Sequence, residues 1–254
     1  QGLGVCVGSP MGCVEWRVVK IVDGPIRSIA EAIELPRGEI GELVVKGAAV
    51  TTEYVTRTDA NATAKIPDDG NRGWLGSRYS EPPGAPLGAP DGRPQPPDEY
   101  TSDDVNRKAF WHRMGDVGYL DDQNRFWFCG RMSQRVVIPW RTGDRATLFT
   151  IPCEAIFNRH HDVYRSALIG VGSKEQVVPA IVVEPLLGRM PRGNTARMKL
   201  YGELLELAES SPLTAGIESI MICKSLPVDV RHNVKINREL LAIWATKKRL
   251  SRLP

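Results

Sequence analysis

The sequence predicts an α+β fold in two unequal parts, and three observations lead there. Residues 1–131 carry short runs that alternate apolar and polar like strands, with one short helical pattern among them. Residues 132–254 mix apolar, β-branched runs with two long amphipathic stretches. Between two strand-like regions, residues 68–104 lose apolar periodicity and fill with Pro, Gly and charge.

In chain order, "VEWRVVKIV" (14–22) reads as a strand, and "ELPRGEIGELVVKG" (34–47) as a turn followed by a strand over 42–46. "TTEYVTRTDANATAKI" (51–66) reads as a turn and a short amphipathic helix. Residues 68–104 hold too little apolar surface to offset their chain entropy, so a long surface insertion, partly disordered, is expected. "FWHRMGDVGYL" and "RFWFCGRM" predict two strands around the turn "DDQN". "SQRVVI" and "ATLFTI" read as two more short strands joined by "PWRTGDR".

"PCEAIFNR" predicts a helix with Pro152 in its first turn, where a missing N–H costs nothing. "YRSALIGVG" and "VVPAIVVEP" are buried-strand runs, and "IESIMICKSLP" is a third. "NTARMKLYGELLELAES" reads as an amphipathic helix with Asn194 as N-cap, and "INRELLAIWATKKRL" as a closing helix. Residues from 132 onward thus form a compact unit able to fold alone.

Composition narrows the function classes. The chain is 42% hydrophobic and 25% charged, the balance of a folded globular protein rather than a disordered one. A net charge of +3 is too small to argue for nucleic acid. The basic end "KKRLSRLP" reads as a solvated last helical turn with cations near its C-terminus, in preference to an anionic-surface tail. No apolar run approaches the ~18 residues of a membrane span. The opening "QGLGVCVGSPMG" has neither the basic n-region nor the apolar core of a signal peptide. It also begins with Gln1 in place of Met, so a processed, cropped or incomplete product is expected.

Five cysteines without a C-x-x-C pair argue against both a disulfide framework and a zinc site, and point to reduced, mostly buried thiols in the cytoplasm. His160 and His161 are adjacent, a spacing not expected to aim both rings at one metal. No G-x-G-x-x-G follows a strand, which excludes a Rossmann-type oxidoreductase.

Three segments carry chemistry: Met-Gly-Asp at 114–116, Cys-Gly-Arg at 129–131, and "LPVDVRHNVKINREL" at 226–240. Singly, each has a plain reading as turn glycines, a surface ion pair and a solvated lysine. Their order is informative. Asp116 offers two acceptor oxygens, suited to the two hydroxyls of a ribose. Arg131, shortly downstream, is suited to donate to the same sugar or its phosphate. Lys235, before the closing helix, is placed to meet negative charge developing on a phosphoryl or carboxylate oxygen.

On these residues the chain resembles the adenylate-forming superfamily of acyl-CoA synthetases, peptide-synthetase adenylation domains and luciferases. "GEIGELVVKGAAVTTEY" is similar to that family's Gly-Glu-Leu…Gly…Tyr segment. "MGDVGYLDDQNRFWFCGR" resembles its Thr-Gly-Asp-x-Gly…Gly-Arg segment, with Met114 in the Thr position. "TIPCEAIF" resembles its Pro-x-Glu segment, and "LPVDVRHNVKINREL" its Leu-Pro…Gly-Lys-x-x-Arg segment, with Val234 in the Gly position. Within the superfamily the same segments look most like the olefin-biosynthesis synthetases, formerly labelled fatty-acid-CoA ligases. These act on long-chain β-hydroxy acids and close a β-lactone.

The resemblance implies a partial β-rich subdomain of the large AMP-binding domain (1–131) followed by the small C-terminal domain (132–254). It implies that Asp116 holds the ribose hydroxyls of ATP or the acyl-adenylate, and that Arg131 binds the ribose or phosphate. Lys235 would bridge the carboxylate and the α-phosphate. Ser133 occupies the hinge position, where relatives usually carry Asp or Lys. Glu154 would orient the small domain without touching substrate, and Tyr119 would pack.

The family's phosphate loop and its Tyr-Gly-x-Thr-Glu segment, which supplies a carboxylate for Mg2+, do not occur in these residues. The expected partners are therefore a fatty-acid substrate and the remaining N-terminal part of the large domain, with neither nucleic acid nor a transmembrane segment. The 254 residues alone are expected to be inactive. The altered loop "PWRTGDRATLF" favours lactone closure over CoA capture. A competing reading is a non-catalytic binding or regulatory protein derived from a truncated adenylation module.

Overall fold

A computed structural model describes residues 4–51, 53–68, 110–139, 145–173, 176–229 and 235–250. The first sheet takes six strands: β1 (Val5–Gly8), β2 (Val14–Val19), β3 (Gly41–Gly47), β4 (Lys65–Pro67), β5 (Phe110–Leu120) and β6 (Phe126–Arg131). Its order is β1-β6-β5-β3-β2, with β4 also pairing β5, and every pairing is antiparallel. Helix α1 (Thr58–Ala64) leads into β4.

Strand β3, GELVVKG, buries both of its faces. Val44 joins Val19, Ile26, Ile66 and Trp111 on one side, whereas Leu43 and Val45 join Val18 and Phe126 on the other. A sheet covered on both faces reads as a continuous apolar run, which is what the sequence shows here. The edge strand β1 is different: Val5 and Val7 stay more than half exposed, so it carries no burial signal in the sequence.

A 3-10 turn over Met132–Gln134 leaves this sheet. The hairpin β7 (Val136–Pro139) and β8 (Arg145–Leu148) follows, then α2 (Thr150–Phe157), β9 (Val163–Val171), β10 (Val178–Pro185), α3 (Gly193–Glu209), β11 (Ser219–Ile222) and α4 (Arg238–Leu250). The sheet order is β11-β10-β9. β9 and β10 are antiparallel, while β10 and β11 run parallel through the α3 crossover that such a pairing requires. Alternation along β10 divides the core. Ile181 and Val183 meet α2 and α3 through Phe157, Leu200 and Leu204, whereas Ala180 and Val182 meet α4 through Leu241 and Ala245.

Several expectations shift. Asn194 is not the N-cap of α3: the helix begins at Gly193, Arg192 is the extended cap residue, and no side chain caps it. Only Thr58–Ala64 of 51–66 is helical, because the chain turns into β4 at Lys65. The strand expected over 133–138 starts at Val136, since 132–134 form the 3-10 turn, and 146–151 changes from strand to helix at Thr150. Two of the five thiols, Cys6 and Cys13, are exposed, and Cys129, Cys153 and Cys223 are buried. Residues 69–104 of the insertion, 140–144 of the loop after β7, and Val234 lie outside the described residues.

Candidate functional site

The β5–β6 hairpin is closed by Asp121. Its Oδ1 accepts from the backbone of Gln123 and Arg125, and its Oδ2 from Arg125 Nε and Trp127 Nε1. Burial opposes ionisation, but these donors outweigh it and hold the carboxyl well below the usual range. Asn124 supplies the left-handed residue of the turn, at φ 59°. Tyr119 stacks on Trp127 at 6.1 Å between ring centroids, a packing contact.

Further along the hairpin, Asp116 and Arg131 are register partners. From Leu120↔Phe126 to Gly118↔Phe128 the pairing is regular, but Val117 pairs with Gly130, so Cys129 is an extra residue in β6. This bulge carries Arg131 opposite Asp116; an uninterrupted register would set Gly130 there.

Arg131 Nη1 lies 3.0 Å from Asp116 Oδ1 and donates to the Met114 carbonyl at 3.4 Å. The charges are paired, yet that Asp116 oxygen is buried and receives no aligned hydrogen bond. Burial pushes the Asp116 carboxyl above its ordinary value, and the Arg131 cation pulls it part of the way back. Arg131 is 55% exposed, so its guanidinium has room to reach a ligand.

The hairpin touches α2 through Gly130. At φ 133° it adopts a conformation that L side chains rarely take, and a Cβ there would lie 2.3 Å from Thr150 Oγ1.

Lys235 is exposed, but its backbone is tied down: Asp229 N–H donates to the Lys235 carbonyl at 2.9 Å, and Asn237 N–H donates to Pro227 at 2.8 Å. Three residues on, Arg238 opens α4 and links three elements. It pairs with Glu154 Oε1 of α2 at 2.7 Å, donates to the Leu168 carbonyl at 3.1 Å, and reaches Gln134 Oε1 at 3.3 Å. Glu154 also accepts from Leu168 N–H at 2.8 Å. Burial raises the Glu154 carboxyl; Arg238 and the Leu168 amide counter it.

A cavity of ≈ 530 Å³ lies against this network, and Ser133, Gln134, Asp229, Lys235 and Arg238 are among its walls. The structure therefore brings Ser133 and Lys235 to one cavity. Asp116 and Arg131 come together elsewhere, on the hairpin, and do not line it.

Sequence reasoning gave Arg238, Arg113 and Glu42 no role. Arg113 and Glu42 form a buried pair at 2.6 Å, with 3% and 1% side-chain exposure. A Glu in the apolar run of β3 and an Arg in β5 were the available signal, since a charge in a doubly buried strand needs a partner.

The rings of His160 and His161 do stack, at 4.5 Å between centroids, and with Asp162 their ligand atoms lie within 4.8 Å of one another. They sit in the turn after α2, where neighbouring side chains are free of helical spacing. Asp162 N–H donates to His160 Nδ1, which leaves Nε2–H facing Glu203 at 3.2 Å. Both ring nitrogens are thus engaged within the protein.

No protein-family model matches the chain. It is 36% identical over 245 residues, 96% of its length, to the olefin beta-lactone synthetase of Stenotrophomonas maltophilia. This chain is a relative of the olefin beta-lactone synthetases. It spans 37% of the length of that relative.

Two solved structures share its fold. ATP-bound MatB from Rhodopseudomonas palustris aligns with a TM-score of 0.59 at 18% identity, over 96% of this chain and 36% of that one. The anthranilate CoA ligase AuaEII, in complex with anthranoyl-AMP, aligns with a TM-score of 0.62 at 14% identity, again over 96% and 36%. The mixed helix-and-sheet architecture is that of the adenylate-forming enzymes. Among the described residues no helix is long and apolar enough to cross a membrane.

Proposed function

We propose that these residues supply the ribose clamp, hinge and adenylation lysine of an ATP-dependent ligase. It activates a long-chain β-hydroxy fatty acid as acyl-adenylate and then closes a β-lactone, with CoA thioester formation as the other outcome. Residues 1–131 belong to the large AMP-binding domain in this reading and 132–254 to the small one. The phosphate loop, the acyl pocket and the carboxylate for Mg2+ come from outside these 254 residues.

The observation that carries the reading is the Asp116–Arg131 pair, in a chain 36% identical to a beta-lactone synthetase. A buried carboxylate oxygen without an aligned donor fits a ribose hydroxyl, which would donate to it. The neighbouring guanidinium fits the sugar or its phosphate.

In the first step a substrate carboxylate oxygen attacks the α-phosphorus and pyrophosphate leaves. Lys235 neutralises the charge gathered on those oxygens. In the second step the β-hydroxyl oxygen attacks the acyl carbon, its proton is released, and AMP departs as the lactone ring closes.

The test uses a polypeptide that carries these residues together with the phosphate loop. Lys235→Ala is expected to abolish carboxylate-dependent pyrophosphate release while ATP binding stays near wild type. Lys235 is exposed, so the substitution should leave stability within about 0.5 kcal/mol. Pyrophosphate release at the wild-type rate would refute the assignment.

A further inference from the structure

We propose that Asp23 and Arg135 form a latch across the hinge, set by Arg113 as a positioning residue. The inference rests on the reading of Ser133 as the hinge. Arg135 Nη2 lies 2.5 Å from Asp23 Oδ1, although the two residues are 112 apart in sequence. Asp23 belongs to the loop after β2, on the side of the first sheet. Arg135 follows the 3-10 turn and leads into β7.

Arg113 fixes the other parts of this junction. Its guanidinium donates to the carbonyls of Val22 and Gly24, the two residues that flank Asp23. It also donates to the Thr63 carbonyl and to Glu42, and lies 3.8 Å from the Met132 sulfur. Met132 and the Asp23 loop are therefore held by one buried group. Ser133 lies between Met132, which is held, and Arg135, which is latched.

A rotation of the backbone at Ser133 moves Arg135 while Asp23 and Met132 stay with the first sheet. The ion pair survives in one orientation of the small domain and is lost in others. A contact made in only one of two states biases their populations by its own free energy. Asp23 is 75% exposed, so the bias is modest, about two- to fivefold, and salt screens it. Arg135 also closes the turn on the Met132 carbonyl at 2.8 Å, so its side chain is already placed for Asp23.

The experiment is done in a polypeptide that carries these residues together with the phosphate loop. Adenylation is followed by pyrophosphate exchange, and the second step by product formation from supplied acyl-adenylate. Asp23→Asn and Arg135→Gln are each expected to shift the ratio of the two rates in the same direction, by about two- to fivefold. The charge swap Asp23→Arg with Arg135→Asp is expected to bring the ratio back toward wild type, and high salt to erase the difference. Arg113→Lys keeps the charge but loses the fork, and should make Asp23→Asn without further effect.

An unchanged ratio in the single variants, or a swap that restores nothing, overturns the latch. Ser133→Pro separates the two ideas. If it shifts the ratio while the Asp23 and Arg135 variants do not, the latch alone fails. If Ser133→Pro leaves the ratio unchanged, the hinge reading fails as well.

Discussion

Arg238 and Glu154 lie 2.7 Å apart and tie α4 to α2, and each answers for the other's burial. Removing the guanidinium would leave a carboxylate that is 7% exposed without its cation. Arg238→Ala is expected to destabilise the fold by about 3–5 kcal/mol, the cost of breaking a buried pair from one side. Adding Glu154→Gln should recover part of that loss, because an amide oxygen still accepts from Leu168 N–H. Denaturant titration of the two variants checks this; equal stability of the single and double variants would contradict the pairing.

Burial of the ionised Asp116 carboxylate works against stability. Its raised pKa means that the folded state binds the proton more tightly than the unfolded chain does. The stability this contributes is complete below the unfolded pKa and is lost as pH rises through the folded one. Asp116→Asn, which stays neutral, should therefore melt at or above the wild-type temperature at neutral pH. The difference should vanish below about pH 4, where Asp is itself protonated. The same variant should lose nucleotide affinity. Thermal melts across pH test the first claim, and a variant that melts well below wild type at neutral pH would overturn it.

Gly130 is expected to tolerate no side chain. Gly130→Ala faces strain at φ 133° and a contact 2.3 Å from Thr150 Oγ1. The backbone strain alone should cost about 1–3 kcal/mol. Thr150→Ala in the same chain should relieve only the contact and leave the strain. Full rescue by Thr150→Ala would show that crowding, and not the backbone, makes this position glycine.

The strands and the later helices were legible where the burial pattern was strong. β5, β6, β9 and β10 lie in runs whose apolar residues have one place to go. β1 was not legible, because a four-residue edge strand with exposed Val5 and Val7 leaves no alternation to read. The start of α3 was misplaced because Asn194 has the chemistry of a cap but already lies inside the helix.

Asp116, Arg131, Ser133 and Lys235 were named from motif order. Motif order does not say that Ser133 and Lys235 share a cavity, or that Arg238 ties Gln134 to Glu154. Those are contacts between residues 70 or more apart in sequence, and only the folded chain brings them together.

The extra residue at Cys129 makes spacing, as much as residue identity, the quantity that matters in this hairpin. Straightening β6 into an uninterrupted register with every residue kept would set Gly130 opposite Asp116 and carry Arg131 one position past it. A hairpin altered in this way would keep both charged residues and lose their pairing. A strand one residue shorter and free of the bulge would again set its arginine opposite the aspartate, so the residue count and the bulge have meaning only together.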